Sequence, residues 1–187
     1  MPAITGASKD AALEASINSA SRAIDGFTGR FFYPDGTAQT AVVRYFTPKS
    51  ESLVFTDDFV SLTEVAIDNA LARTWSTVWA TSDYMVEPIN NPRQAKPYNR
   101  IIAVGRYLFP SKYPQSVRMT GIWGWSAVPD AVAQACLMQS SRIFNRAGSP
   151  FGIAGSPDLG TVRLSARLDP DVQVLLAPFM RTDGMVY

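Results

Sequence analysis

A chain of 187 residues, nearly half of them apolar and fewer than a fifth charged, is long enough to bury a substantial core. It holds no histidine and one cysteine, Cys136, which excludes an intramolecular disulfide, a zinc site of the usual ligand set and the commonest acid–base catalyst. No run of 18 apolar residues and no basic-then-apolar opening block occurs, so a soluble chain, made inside the cell and not bound to a membrane, is expected.

The first helix is expected over residues 9–28. Leu13, Ile17, Ala20, Ile24 and Phe27 fall on one stripe, Lys9, Glu14 and Arg22 lie off it, and Gly29 supplies the stop. Pro34-Asp35-Gly36 then reverses the chain. From residue 40 to 123 the period changes to short β-branched and aromatic runs, 40–46, 52–56, 61–68, 74–80, 83–88, 99–105 and 115–123, separated by polar turns. They read as an antiparallel β region inserted between two long helices. Pro88, Pro92 and Pro97 mark an irregular loop, since proline lacks the ladder donor.

The second long helix, 129–146, is the expected spine of the fold. Pro129 opens it at no hydrogen-bonding cost, and Asp130 suits the positive end of its dipole. Val132, Ala135, Cys136, Gln139 and Ile143 form its buried stripe, and its many small residues predict close packing between neighbouring elements. Cys136, on that stripe, reads as an inert packing group. Residues 148–160, rich in glycine and proline, are expected to be a flexible loop ordered by a partner, and 161–167 a strand. A short last helix near 170–179 is capped by Asp169, opened by Pro170 and amphipathic through Val172, Leu175, Leu176 and Phe179. With the tail 180–187, it reads as a docking element rather than core. The fold class is therefore α+β: a small helical core carrying a β-rich insertion within a single domain, 1–187.

Charge is segregated along the chain. Seven acidic residues and only Arg73 lie between Glu51 and Glu87, whereas Arg93, Lys96, Arg100, Arg106, Lys112 and Arg118 face no acidic residue between Pro88 and Pro129. A basic loop of this kind serves subunit contacts or phosphate, and the absence of a nucleic-acid motif favours the former. No P-loop, GxGxxG, GxSxG, HExxH or EF-hand pattern occurs, so no catalytic, cofactor or metal residue is assigned. Asp57-Asp58 reads as a turn rather than a carboxylate pair. Trp75 and Trp79 share strand parity, and with Trp123 and Trp125 they fit a core or interface better than a sugar-stacking platform.

The order of these pieces carries a resemblance. The segments IDGFTGRFFYP, VVRYF, DDFVSLTEVAID, YMVEPINNPRQAKPYNRI, GIWGWSAVPDAVAQACLMQSSRIFNRAGSPFGIAG and LDPDVQVLLAPF, from about Ala11 to Phe179, together resemble the head-to-tail adaptor (connector) proteins of long-tailed double-stranded DNA phages. The resemblance implies a non-enzymatic virion protein, made in the host cytoplasm and placed in the head–tail neck. It would form a ring, typically of twelve copies, that docks under the portal, meets the next neck or tail-completion protein and prolongs the channel for genomic duplex DNA without sequence-specific binding. Candidate portal or subunit contacts are Arg93, Lys96, Arg100, Lys112, Phe151, Ile153, Phe179, Met180, Arg181 and Tyr187. A β-rich module binding carbohydrate or a host surface through its aromatics is the alternative.

Overall fold

The computed structural model describes residues 7–33, 40–147, 153–156, 160–163 and 168–181. The fold is α+β, with three α-helices, a six-stranded antiparallel sheet and a two-stranded one among these residues. The chain divides into two compact units, one built from residues up to 30 and from 129 to 181, the other from residues 31–128.

The first unit is helical. α1 (Ala7–Thr28) ends where Gly29, at φ 66°, donates its N–H to the Asp25 carbonyl at 2.8 Å, a left-handed stop suited to glycine. Its buried positions are Ser16, Ala20, Ile24 and Thr28, a four-residue spacing. Ile17, expected on the buried stripe, is instead exposed, and Leu13 and Phe27 are half-buried. The polar members of the buried row need no outside partner, because Ser16 Oγ donates to the Ala12 carbonyl and Thr28 Oγ1 to the Ile24 carbonyl, each at 2.8 Å. α2 (Asp130–Ala147) buries Val132, Ala135, Gln139 and Ser140 and packs against both α1 and α3 (Pro170–Leu176).

α3 starts as its sequence dictates. Asp169 caps it by accepting from the Asp171 N–H at 2.8 Å, and Pro170 fills the first helical position. Arg142 of α2 forms an ion pair with the same aspartate, and Gln139 Oε1 accepts from its N–H. Val172 and Leu176 are fully buried, so this helix belongs to the core of the unit and is not a detached docking element. Within the stretch expected to be a loop, β7 (Ile153–Ser156) pairs antiparallel with β8 (Gly160–Arg163). Residues 148–152, 157–159 and 164–167, covering the rest of that loop and of the strand expected after it, lie outside the described residues.

The second unit is the sheet. Its order is β1 (Val42–Phe46), β6 (Val117–Trp123), β2 (Leu53–Ile67), β5 (Tyr98–Ala103) and β4 (Tyr84–Glu87), with β3 (Thr77–Trp79) pairing β2 separately. The runs expected at 52–56 and 61–68 are one strand. β2 continues through Asp57-Asp58, which the sequence had suggested as a turn, and bulges near Phe59–Glu64 let its first half pair β5 and its second half β6 and β3. The two carboxylates serve different partners, as strand alternation requires. Asp57 holds Arg44 at 2.5 Å, and Asp58 accepts from the Trp125 indole N–H at 3.0 Å.

The core of the unit is aromatic. Trp79 stacks on Phe109 with centroids 4.6 Å apart, while Trp123 packs between Phe46 and Phe59 and donates its indole N–H to the Val42 carbonyl at 2.7 Å. β6 and β2 approach so closely that a Cβ on Gly121 would lie 2.5 Å from the Ser61 carbonyl oxygen. The two tryptophans expected on one strand face separate. Trp79 ends β3 in the core, whereas Trp75 precedes the strand and its half-buried ring meets Tyr45 at 4.8 Å and the Arg118 guanidinium at 5.9 Å.

Candidate interaction surfaces

The basic stretch does not form one loop. Arg93 lies in a 3-10 turn (Asn91–Gln94) and Lys96 just after it, both before β5 begins, while Arg106 and Lys112 lie beyond the strand's far end. Six residues at about 3.3 Å each put about 20 Å of sheet between the two groups. Arg100 sits on β5 itself and bonds Glu87 of β4, directly opposite it in the ladder, at 3.0 Å. Arg118 likewise bonds Glu64 at 2.8 Å. Two cations of the basic segment are thus neutralised by two carboxylates of the acidic segment inside one chain. Segregation in sequence here reflects cross-strand pairing, in addition to any role between copies. Arg93, Lys96, Arg106 and Lys112 form no ion pair among the described residues; all but the half-buried Lys96 are exposed.

Lys96 borders a cleft of 240 Å³ lined also by Phe59, Val60, Pro92, Pro97, Tyr98 and Ser126. The loop over it is fixed by Asn91, whose side-chain amide donates to the Pro97 carbonyl at 2.7 Å, and Ile89 nearby is two-thirds exposed.

At the other end of the sheet, three connections are knitted together by hydrogen bonds that sequence patterns do not signal. The Asp68 carboxylate accepts from the N–H groups of Ala70, Ala72 and Arg73, and Arg73 donates to the Gln115 side chain at 3.0 Å. The Gln115 N–H reaches Thr47 Oγ1 at 2.9 Å, and the Phe109 N–H reaches the Glu51 carbonyl at 2.7 Å. Burial pushes the Asp68 carboxyl up, but the backbone donors outweigh it and hold it below the ordinary carboxylate range.

The remaining candidates lie at the end of the helical unit. Phe179 closes a 3-10 turn (Ala177–Phe179), is half-buried, and its carbonyl accepts from Arg30 Nε at 2.8 Å. The Arg181 N–H donates to the Thr28 carbonyl at 2.8 Å, so this segment clasps the end of α1, while the Met180 side chain is exposed. Ile153 is in β7; Phe151 and Tyr187 lie outside the described residues. Exposed apolar groups that sequence periodicity missed are Val174 on α3 and Leu137 on α2, 73% and 63% exposed.

Cys136 is half-buried. Burial, and then the charge of Asp25, push its thiol up, the direction of an unreactive sulfur. Asp25 is itself pushed up by burial, against the pull of Arg22 at 2.9 Å. Among the described residues no three His, Cys, Asp or Glu side chains gather to hold a metal ion, and no helix is long and apolar enough to cross a membrane.

No family model matches this chain, and no curated protein matches it. Solved structures do. The chain is similar to a chain in the neck of the native GTA particle computed with C12 symmetry, with TM-score 0.54 and 19% identity over 93% of this chain and 85% of that one. It is also similar to a chain in the neck of the empty GTA particle computed with C6 symmetry, with TM-score 0.51 and 20% identity over 94% of this chain and 81% of that one. The likeness spans both units, and the fold is one found in particle necks.

Proposed function

We propose that this protein is a structural subunit of the neck of a phage-like particle, a head-to-tail adaptor that assembles as a ring between the portal and the tail. The observation that carries the reading is the likeness to neck chains over more than nine-tenths of this chain, from particles treated with twelve- and six-fold symmetry. The order of sequence segments supports it independently. The role is structural, in the virion, and no chemistry is assigned to any side chain. Genomic duplex DNA passes through the ring without being read, and the exposed cations Arg93 and Lys112, with the half-buried Lys96, serve protein contacts. The carbohydrate-binding alternative loses its main support, because Trp79, Trp123 and Trp125 are buried and Trp75 is half-buried beside Tyr45.

The test is to image particles carrying a tagged copy of this chain, and particles made without it. The expected results are tag density as a ring between head and tail, and filled heads that lack tails. Label elsewhere on the particle, or normal tailed particles without the chain, overturns the proposal.

A further inference from the structure

The two-stranded sheet β7–β8 pairs with nothing but itself among the described residues. A lone hairpin is marginal in water, because its few ladder bonds barely offset the ordering of its chain; a third strand is what makes such a unit persist. The six-stranded sheet offers a place for one. β1 is its terminal strand, and the outward edge has no pairing strand among the described residues. Edges are ordinarily blunted by lysine, by proline or by a bulge. β1 has none of these: its sequence is VVRYF, its ladder with β6 runs without a register shift, and its one charge, Arg44, is held by Asp57. Val43 and Tyr45 are each nearly half exposed. The edge at the other end, β4, is shorter and is closed off by Pro88.

We infer that the β7–β8 hairpin of one copy adds to the free β1 edge of a second copy, so that neighbouring chains share one sheet. The occupant is specified by its chemistry: an unblunted edge takes only a strand with matching N–H and C=O groups, and among the described residues this chain carries one short of partners. The contact uses two different surfaces on each copy, which is the head-to-tail type that closes into rings. It rests on the neck reading only for that closure; the pairing itself is a property of the isolated chain.

The test uses the purified full chain. Wild type is expected to self-associate with a Kd on the order of 10–100 µM by sedimentation. Hydrogen exchange of β1 amides should slow about tenfold as association proceeds, since new ladder bonds cover them. Val43→Pro and Arg44→Pro are made in parallel. Consecutive residues of a strand point their amides to opposite edges, so one proline breaks a bond to β6 and the other removes only the outward donor. The variant that keeps the wild-type thermal transition is carried forward as the edge-blocked copy. A second variant has residues 153–163 replaced by a Gly/Ser segment of equal length; Thr161→Pro takes its place where the replacement lowers the thermal transition. Each variant alone should be monomeric. Mixed at equal amounts they should form a dimer and stop, because one variant keeps the β7–β8 pair and the other keeps the β1 edge. A wild-type chain that stays monomeric, association by either variant alone, or a mixture that stays monomeric overturns the inference. Paired chains found in particles that lack a neck ring would instead count against the proposed function alone.

Discussion

The two units solve the same burial problem with opposite materials. The sheet unit is filled by large rings, with Trp123, Phe59 and Phe109 fully buried, whereas the helical unit buries Ala20, Ala135, Val172 and Leu176 beside Ser16, Thr28, Gln139 and Ser140. Rings provide much buried area per residue and fix strand position by edge-to-face contacts. Small residues provide little area but let helix axes approach, and their hydroxyls bond back to their own helix, as Ser140 Oγ does to the Leu137 carbonyl at 3.0 Å. The sheet unit should therefore suffer most from lost volume and the helical unit from added volume.

The sharpest test of the comparison is Trp123→Ala. Loss of the ring removes its packing with Phe46 and Phe59 and the bond to Val42, and is expected to cost about 3–5 kcal/mol in urea unfolding followed by near-UV circular dichroism. A cost below about 1 kcal/mol would mean that the aromatic cluster does not hold the sheet together. Ala135→Leu is the matching insult to the helical unit. The position is fully buried, so the added methylene groups should cost about 1–3 kcal/mol, read as a lower thermal midpoint by far-UV signal. Gly121→Ala should cost a similar amount, about 1–3 kcal/mol, because the new methyl collides with the Ser61 carbonyl and the Leu62 side chain, at 2.5 and 2.8 Å. Neutral behaviour at either site would show slack that the packing does not suggest.

A smaller pair of effects separates the units by pH. The Asp68 carboxyl lies below its usual range in the folded chain, so its contribution is present above the unfolded value, near pH 4, and lost as pH falls through the lower folded value. Asp68→Asn should thus lower the thermal midpoint at pH 7 and narrow the gap to wild type in acid. Asp25 is pushed the other way by burial, so its contribution is present below the unfolded value and lost as pH rises through the higher folded one. Asp25→Asn should raise the midpoint at pH 7, with the gain vanishing in acid. Thermal scans at pH 7 and pH 3.5 check both signs, and midpoint shifts of the same sign for the two variants at pH 7 would contradict this account. Least disruptive is Lys112→Glu, an exposed position with no ion pair among the described residues. Its midpoint should move by no more than what about 0.5 kcal/mol produces, whatever it does to assembly.

Much of the fold was legible because local rules decide it. Pro129, the Asp169-Pro170 cap and the Gly29 stop each act within one helical turn, and the period-2 runs between 42 and 123 announced strands whose alternation is a property of the backbone itself. The segment order likewise carried the expectation of a neck fold. What tertiary structure decided was everything set by partners distant in sequence. Asp57-Asp58 looks like turn chemistry, yet it continues β2 because Arg44 and Trp125 wait on either side. Arg100 looks like part of a basic loop until Glu87 comes opposite it across a ladder. Ile17 lies outside the core because the buried face of α1 runs through Ser16 and Thr28, whose hydroxyls the helix satisfies by itself. Sequence fixes which residues are able to form strands, caps and stops; register and the choice of face arise only when separated segments meet, since each shift by one residue exchanges the two faces.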